Sequence, residues 1–391
     1  MAIINRVAEF HDDMTAWRRD LHEHPELAFE EVRTAGIVAA KLREFGVDEV
    51  VTGIGRTGVV GVIKGRPGKG SIGLRADMDA LPIIEATGKP WASKTPGKMH
   101  ACGHDGHTTM LLGAAKYLAE TRNFDGTVHV IFQPAEENFG GAKVMMDDGL
   151  FDRFPCDEVY GLHNMPQVPA GTFAWKKGPM MAAVSNVTIK VTGKGAHGAM
   201  PHMGIDTIAV ACQIVSALQT IVSRNMEPVE GGVVTIAMIQ GGDTHNVIPE
   251  VVMMKGTTRW FSPAVGDLLE ERVKAIPPAI AAAFGATAEV IYNRMYPATV
   301  NPEAETDKAI AVMQEISGEA KVMELPKPVM GGEDFAFMLN ARPGNYVFLG
   351  GGTEGGKDAG VHHPLYDFND AILPVGASYL ARIAERLLKA G

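Results

Sequence analysis

The chain has 391 residues, more than one hydrophobic core usually organises, so two domains are expected. Hydrophobic residues make up 46% and charged residues 21%, and the net charge of −10 argues against broad binding to nucleic acid or anionic membranes. Three cysteines cannot build a disulfide framework and suit a reducing cytoplasm; no export signal is expected at the start, and no run approaches the roughly 18 apolar residues of a membrane span.

The first 180 residues alternate between helix and strand patterns. "RVAEFHDDMTAWRRDLHEH" and "AGIVAAKLREFG" have helical spacing. "TGVVGVIKG" and "SIGLRAD" read as strands separated by a turn at "RPGKG". "TTMLLGAAKYLAET" is a helix that Asp105 or Thr108 can cap, and "GTVHVIFQP" and "DEVYGLH" are further strands. The middle of the chain changes character. Residues 183–293 follow the order β-α-β-β-α-β, a ferredoxin-like unit. The chain then returns to α/β material and closes on the helix "AILPVGASYLARIAERLLKA". The expected fold is a mixed, mostly parallel α/β sheet with helices on both faces, formed by residues 1–182 and 294–391, with 183–293 inserted.

Residues with metal-binding chemistry cluster at strand ends. Asp77 and Asp79 follow "LRA", Glu136 and Glu137 follow "VIFQPA", His163 follows "VYGL", and His362 and His363 lie in a loop before the last helix. In open α/β sheets, ligands gather beyond the carboxyl ends of the strands, so these residues are expected to converge. The stretch "KMHACGHDGHTTM" adds His100, Cys102, His104, Asp105 and His107. An extended backbone turns Cys102 and His104 to one side, whereas a helical one pairs His104 with His107; Gly103 and Gly106 favour the extended form. Thiolate, imidazole and carboxylate donors suit Zn²⁺, Mn²⁺, Co²⁺ or Ni²⁺, and five candidate ligands exceed what one four-coordinate ion needs. A two-ion site that activates water, with one glutamate binding metal and the other moving protons, is the expectation.

Nine segments, among them "RRDLHEHPEL", "LRADMDALP", "MHACGHDGHTTMLLGAA", "FQPAEEN", "GLHN", "GKGAHGAMPH", "THNVIP", "GGEDFAF" and "HHPLYDFND", together resemble the M20 metallopeptidases. The likeness is to the amidohydrolase branch, which includes hippurate hydrolases, N-acyl-amino-acid deacylases and auxin-conjugate hydrolases. It implies a catalytic domain with an inserted lid that dimerises. It implies metal ligation by Cys102, His104, Glu137, His163 and either His362 or His363, with His362 taken here, and with Cys102 shared between two ions. It makes Glu136 the general base for a metal-bridging hydroxide and Asp79 a supporting carboxylate. The likeness further implies that His197 helps polarise the scissile carbonyl, in its own or a neighbouring subunit, and that Asn246 and Arg259 contact substrate. The implied substrate is a small N-acyl or N-aroyl amino acid, and the implied assembly a homodimer or higher oligomer.

The rival readings are a dipeptidase on the same site, a hydrolase with Cys102 as nucleophile and His104 or His107 as base, and a metal-dependent binding protein without catalysis. His22, His24 and His129 are expected to be structural or surface residues, and His100 and His107 supporting ones. Cys156 and Cys212 are expected to be buried, and Asp77 to partner a backbone group or an arginine.

Overall fold

The computed structural model describes residues 2–353 and 358–389, which divide into two compact units. One comprises residues 1–180, 299–328 and 334–391 within that described range; the other comprises Met181–Ala298 with Val329–Glu333. The second unit thus starts two residues before and ends five residues after the sequence limits of 183 and 293, and it gains a short segment from the later chain.

The first unit is built on an eight-stranded sheet. Its spatial order is Glu49–Ile54, Gly58–Lys64, Asp125–Gln133, Arg66–Asp77, Glu158–Pro169, Gly344–Gly352, Phe173–Trp175 and Val322–Glu324. The four central strands run parallel, with Leu74 opposite both Val130 and Tyr160, and Val347 opposite Leu162. Antiparallel pairs join the flanking strands to this centre, and the last edge strand, Val322–Glu324, runs parallel to Phe173–Trp175. The central strands carry near-continuous apolar runs because helices flank the sheet, as parallel strands require. The helix His104–Thr121 is buried at every position from His104 to Ala115.

Three local expectations change. "RPGKG" does not form the turn between strands: the chain turns at Gly65, whose N–H bonds Gly126 O, and Arg66–Asp77 is one strand with an irregularity between Arg66 and Ser71. The first helical stretch is broken, into Asn5–Ala8 and His11–Glu23. His163 does not follow its strand but lies within it. Glu158–Pro169 continues on its partner Gly344–Gly352 after pairing with Arg66–Asp77 has ended at Gly161, so His163 stands beyond the end of one neighbour.

The inserted unit is the expected β-α-β-β-α-β arrangement. Its antiparallel sheet has the order Gly232–Gln240, Val251–Trp260, Ala183–Thr192, Thr287–Tyr296. Strand Ala183–Thr192 alternates strictly, burying Val187, Ile189 and Val191 under helices Thr207–Thr220 and Pro263–Ala283. Asp206 caps the first helix by accepting from Ile208 N and Ala209 N. Contrary to expectation, one segment, Thr207–Asn225, is apolar and long enough by composition to cross a membrane. Here its Val210, Ile214 and Leu218 face pack into the unit's own core. Cys212, on the same helix, is exposed rather than buried because it points away from that core. A two-residue ladder, Ala196–His197 with Val247–Ile248, forms a separate small sheet.

Candidate metal centre

The helix His104–Thr121 begins directly at His104, so the extended reading of residues 100–105 fails at that point. Gly103 is the N-cap, with φ 88°, and no side chain caps the helix; neither Asp105 nor Thr108 does so. A Cβ at Gly103 would collide with the Asn164 amide, and one at Gly106 with the Phe368 ring, so both positions exclude side chains. The left-handed Gly103 still turns Cys102 back beside His104. The helix also places the His104 and His107 rings 5.4 Å apart. Both pairings considered from sequence are therefore realised.

Donor atoms of Cys102, His104 and His163 lie within 4.8 Å of one another, and so do those of Cys102, Glu137 and His362 and those of His104, Glu136 and Glu137. Cys102 belongs to both of the first two groups. Its Sγ is 3.3 Å from His163 Nε2, and His362 Nε2 is 3.0 Å from Glu137 Oε1. His363 lies outside these groups; its Nδ1 accepts from Leu365 N. The backbone is strained here, with Ala135 at φ 53°, Asn138 at φ 69° and His362 at φ 64°, conformations that persist where surrounding structure enforces them.

The ring nitrogens sort the histidines. His163 Nδ1 donates to Asn164 O at 2.6 Å and His104 Nδ1 donates to Asp79 Oδ1 at 3.2 Å, so each ring presents Nε2 to the cluster. His104 Nε2 is buried without a hydrogen bond, and the buried Glu137 Oε1 has only the cluster's own groups, such as His362 Nε2, beside it. These atoms, with a thiol and further imidazoles, fit divalent ions of borderline softness. His107 is different: Nδ1 donates to Asp77 Oδ1 at 2.6 Å and Nε2 accepts from Asn164 N at 2.9 Å, so it supports the site without a free nitrogen. Asp77 also holds Arg75 Nη1 at 2.8 Å, the arginine partner expected for it.

Electrostatics point the same way. Burial, then Glu137, Glu136 and Asp77, push the Cys102 thiol well above its usual range, so without a cation the thiolate a nucleophile needs is disfavoured. Burial works to lower His104, yet Asp77 and Asp79 lift it to about 10. An excess of carboxylates in a buried space calls for cationic charge.

Asp79 ties the glutamate turn to this cluster: its Oδ1 and Oδ2 accept from Glu136 N at 3.0 Å and Glu137 N at 2.9 Å. Asp334 N donates to Glu136 Oε1 at 3.4 Å, while the Asp334 carboxylate binds Arg75, Gln133 and Ala142 N. Sequence reasoning missed Asn164, whose amide donates to Cys102 O at 2.7 Å and accepts from the Tyr366 hydroxyl at 2.7 Å. Its only signal was its place after His163 in "GLHN". The buried pair of His22 and Asp105, 2.8 Å apart, confirms a structural role for His22, whereas His100 is buried with both nitrogens unpartnered.

His197, Asn246 and Arg259 belong to the inserted unit. The small ladder sets His197 opposite Val247, and Gly198 N donates to Asn246 O at 2.7 Å, so these two residues are neighbours. His197 is exposed, and its Nδ1 accepts from Ala199 N at 3.0 Å. Arg259 is half-buried and donates to Thr257 Oγ1 and Thr258 O.

Thiol, imidazole and carboxylate donors gathered in one place, with a further carboxylate beside them, define a metal-dependent enzyme. Residues 73–386 match Peptidase family M20/M25/M40, and the chain belongs to that family. It is 43% identical over 389 residues to the hippurate hydrolase of Campylobacter jejuni, covering 100% of both chains. It is 42% identical to an N-acetyl-L-cysteine deacetylase of Bacillus subtilis, covering 95% of this chain and 87% of the relative. A Bacillus subtilis structure described as a dinuclear metal binding peptidase from the M20 family superposes with a TM-score of 0.82 at 36% identity, covering 97% and 99% of the two chains.

Proposed function

We propose that this protein hydrolyses the amide bond of N-acyl or N-aroyl amino acids, in a metal-dependent reaction that releases a carboxylic acid and a free amino acid. The observation that carries this reading is the pair of donor groups sharing Cys102, with Glu136 alongside. The activities named for the hippurate and N-acetylcysteine relatives support it. Cys102, His104 and His163 would hold one divalent ion, and Cys102, Glu137 and His362 a second. When bound, the ions supply the Lewis acidity that makes water nucleophilic near neutral pH and polarises the carbonyl.

Glu136, with Oε1 aligned by the Asp334 N–H, accepts the proton of the attacking water and delivers it to the leaving amine. Asp79 keeps His104 in one tautomer and holds the glutamate turn. His197 steadies the developing oxyanion. Asn246 contacts substrate, and the Arg259 fork suits a free α-carboxylate. The inserted unit serves as lid and as the surface for a homodimer or higher oligomer. Exposed Ile208, Ile239 and Val247 support that role, which light scattering of the purified protein checks. The proposed location is the cytoplasm, consistent with free Cys102, Cys156 and Cys212.

The test couples metal analysis to a panel of benzoyl-, acetyl- and indoleacetyl-amino acids and dipeptides. Glu136→Ala is expected to retain its metal and lose about 10²- to 10⁴-fold in turnover. Full activity in that variant overturns the base assignment. Activity that survives complete metal removal returns Cys102 as the nucleophile, and a preference for dipeptides makes the protein a dipeptidase on the same centre.

A further inference from the structure

Three consecutive backbone N–H groups lead into the glutamate pair, and two buried carboxylates receive them. Glu136 N and Glu137 N donate to the two oxygens of Asp79. Ala135 N donates to Glu31 Oε1 at 2.9 Å, and Glu31 Oε2 accepts from Thr57 Oγ1 at 2.6 Å. Glu31 comes from the N-terminal "HPELAFEEV" segment, more than a hundred residues from the turn it holds.

The turn needs that hold. Ala135 has φ 53° and ψ 43°, a left-handed conformation that costs an L-residue about 1–2 kcal/mol. Asp79 cannot supply it, because its oxygens already serve the next two N–H groups and His104. Glu31 has no exposed surface. Burial lifts its carboxyl to about 7; the Thr57 hydrogen bond works against that and the Asp79 charge adds to it. A carboxylate is a costly group to keep in such a place, and a purely space-filling position would not call for one. Its location is itself pinned. Glu31 O accepts from Ala35 N at the start of helix Val32–Glu44, while Glu26 caps the same helix through Arg33 N and Thr34 N.

We propose that Glu31 is a positioning residue for hydrolysis: through Ala135 N it fixes the left-handed turn from which Glu136 and Glu137 project, and Thr57 fixes Glu31. This rests on the reading of Glu136 as the base. Glu31 touches neither substrate nor metal, and it acts through the direction in which the turn presents Glu136.

The experiment measures metal content, kcat and KM on the best substrate of the panel for Glu31→Ala, Glu31→Gln and Thr57→Val, each alone and with Glu136→Gln. Displacing a base by a fraction of an ångström is felt in turnover, so Glu31→Ala is expected to keep both ions and its KM while kcat falls about 10- to 100-fold. Glu31→Gln keeps an acceptor for Ala135 N and recovers most of the turnover. Thr57→Val shows a smaller loss in kcat than Glu31→Ala. Combined with Glu136→Gln, Glu31→Ala adds little, because there is no longer a base to aim. Equal loss of kcat and bound metal, additive losses in the double variant, or unchanged kcat in Glu31→Ala each overturn the proposal. If Glu31→Ala does not fold, the other two variants decide: wild-type kcat in Thr57→Val, together with a Glu31→Gln kcat about 10-fold or more below wild type, overturns it. Full activity in Glu136→Gln alone refutes the base reading instead, so the two failures are distinct.

Discussion

His104 and His197 each stand next to a glycine or one residue from it, and each is assigned to the same reaction, yet their surroundings differ. His104 is wholly buried at the first turn of a buried helix, with Nδ1 fixed on Asp79 and a neighbouring turn fixed on the same carboxylate. His197 is exposed, on a ladder of two residues, steadied by the N–H of Ala199. The first unit builds its donors into a core that over-determines them. The inserted unit displays its residues on a sheet whose core lies elsewhere, around Val187, Ile214 and Leu269. A residue that must hold an ion at a set distance needs the first kind of support. One that meets a substrate only during turnover can tolerate the second.

Substitutions can break this contrast. The largest effect is expected at Asp334, which joins Arg75, Gln133, Ala142 N and Glu136 in one buried network. Asp334→Ala leaves Arg75 with part of its charge uncompensated and should cost about 3–5 kcal/mol in a denaturant titration. A loss below about 1 kcal/mol would mean the centre is less rigidly built than its hydrogen bonds indicate. His197→Ala should do the reverse. Removing an oxyanion-stabilising group is expected to lower kcat by about 10²- to 10³-fold, while an exposed substitution leaves stability within about 0.5 kcal/mol.

A third measurement addresses the floor of the centre. Burial alone would lower His22, but Asp105 and then Glu85 raise it to about 9 from the usual 6.5. A histidine whose folded pKa is raised stabilises fully below 6.5 and loses that contribution as pH rises through 9. At about 1.4 kcal/mol per unit the loss approaches about 3 kcal/mol. Melting temperatures of wild type and His22→Gln between pH 6 and 10 should therefore converge as pH rises. Parallel curves would show that His22 is neutral in its pocket.

The centre was legible where chemistry and spacing coincide. Cys102, His104, the double glutamate, His163 and His362 are metal-binding residue types in short, distinctive stretches, and the fold brings their donor atoms together. The inserted unit was legible because its strands alternate and its helices are amphipathic. Residues that act through backbone groups were not. Asn164 and Glu31 are ordinary polar residues in sequence, and their partners at Cys102 O and Ala135 N are set by tertiary approach alone. "RPGKG" misled because proline and glycine usually mark turns, whereas here Arg66 pairs with Asp125 at the margin of a strand. The start of the helix at His104 was missed for the opposite reason: its cap is a left-handed glycine rather than a polar side chain.

The two donor groups draw on residues 102, 104, 137, 163 and 362, which lie far apart in sequence on a helix start, loops and a strand of the first unit. Such a set has no local nucleus. No short stretch of the unfolded chain can gather three of its donors, and the non-local strand pairings must form first. Ion capture is therefore expected to follow formation of the sheet, unlike small zinc modules in which the metal drives folding. On that expectation the identity of the bound ion depends on donors that a finished sheet already presents, and on which ions the surroundings offer.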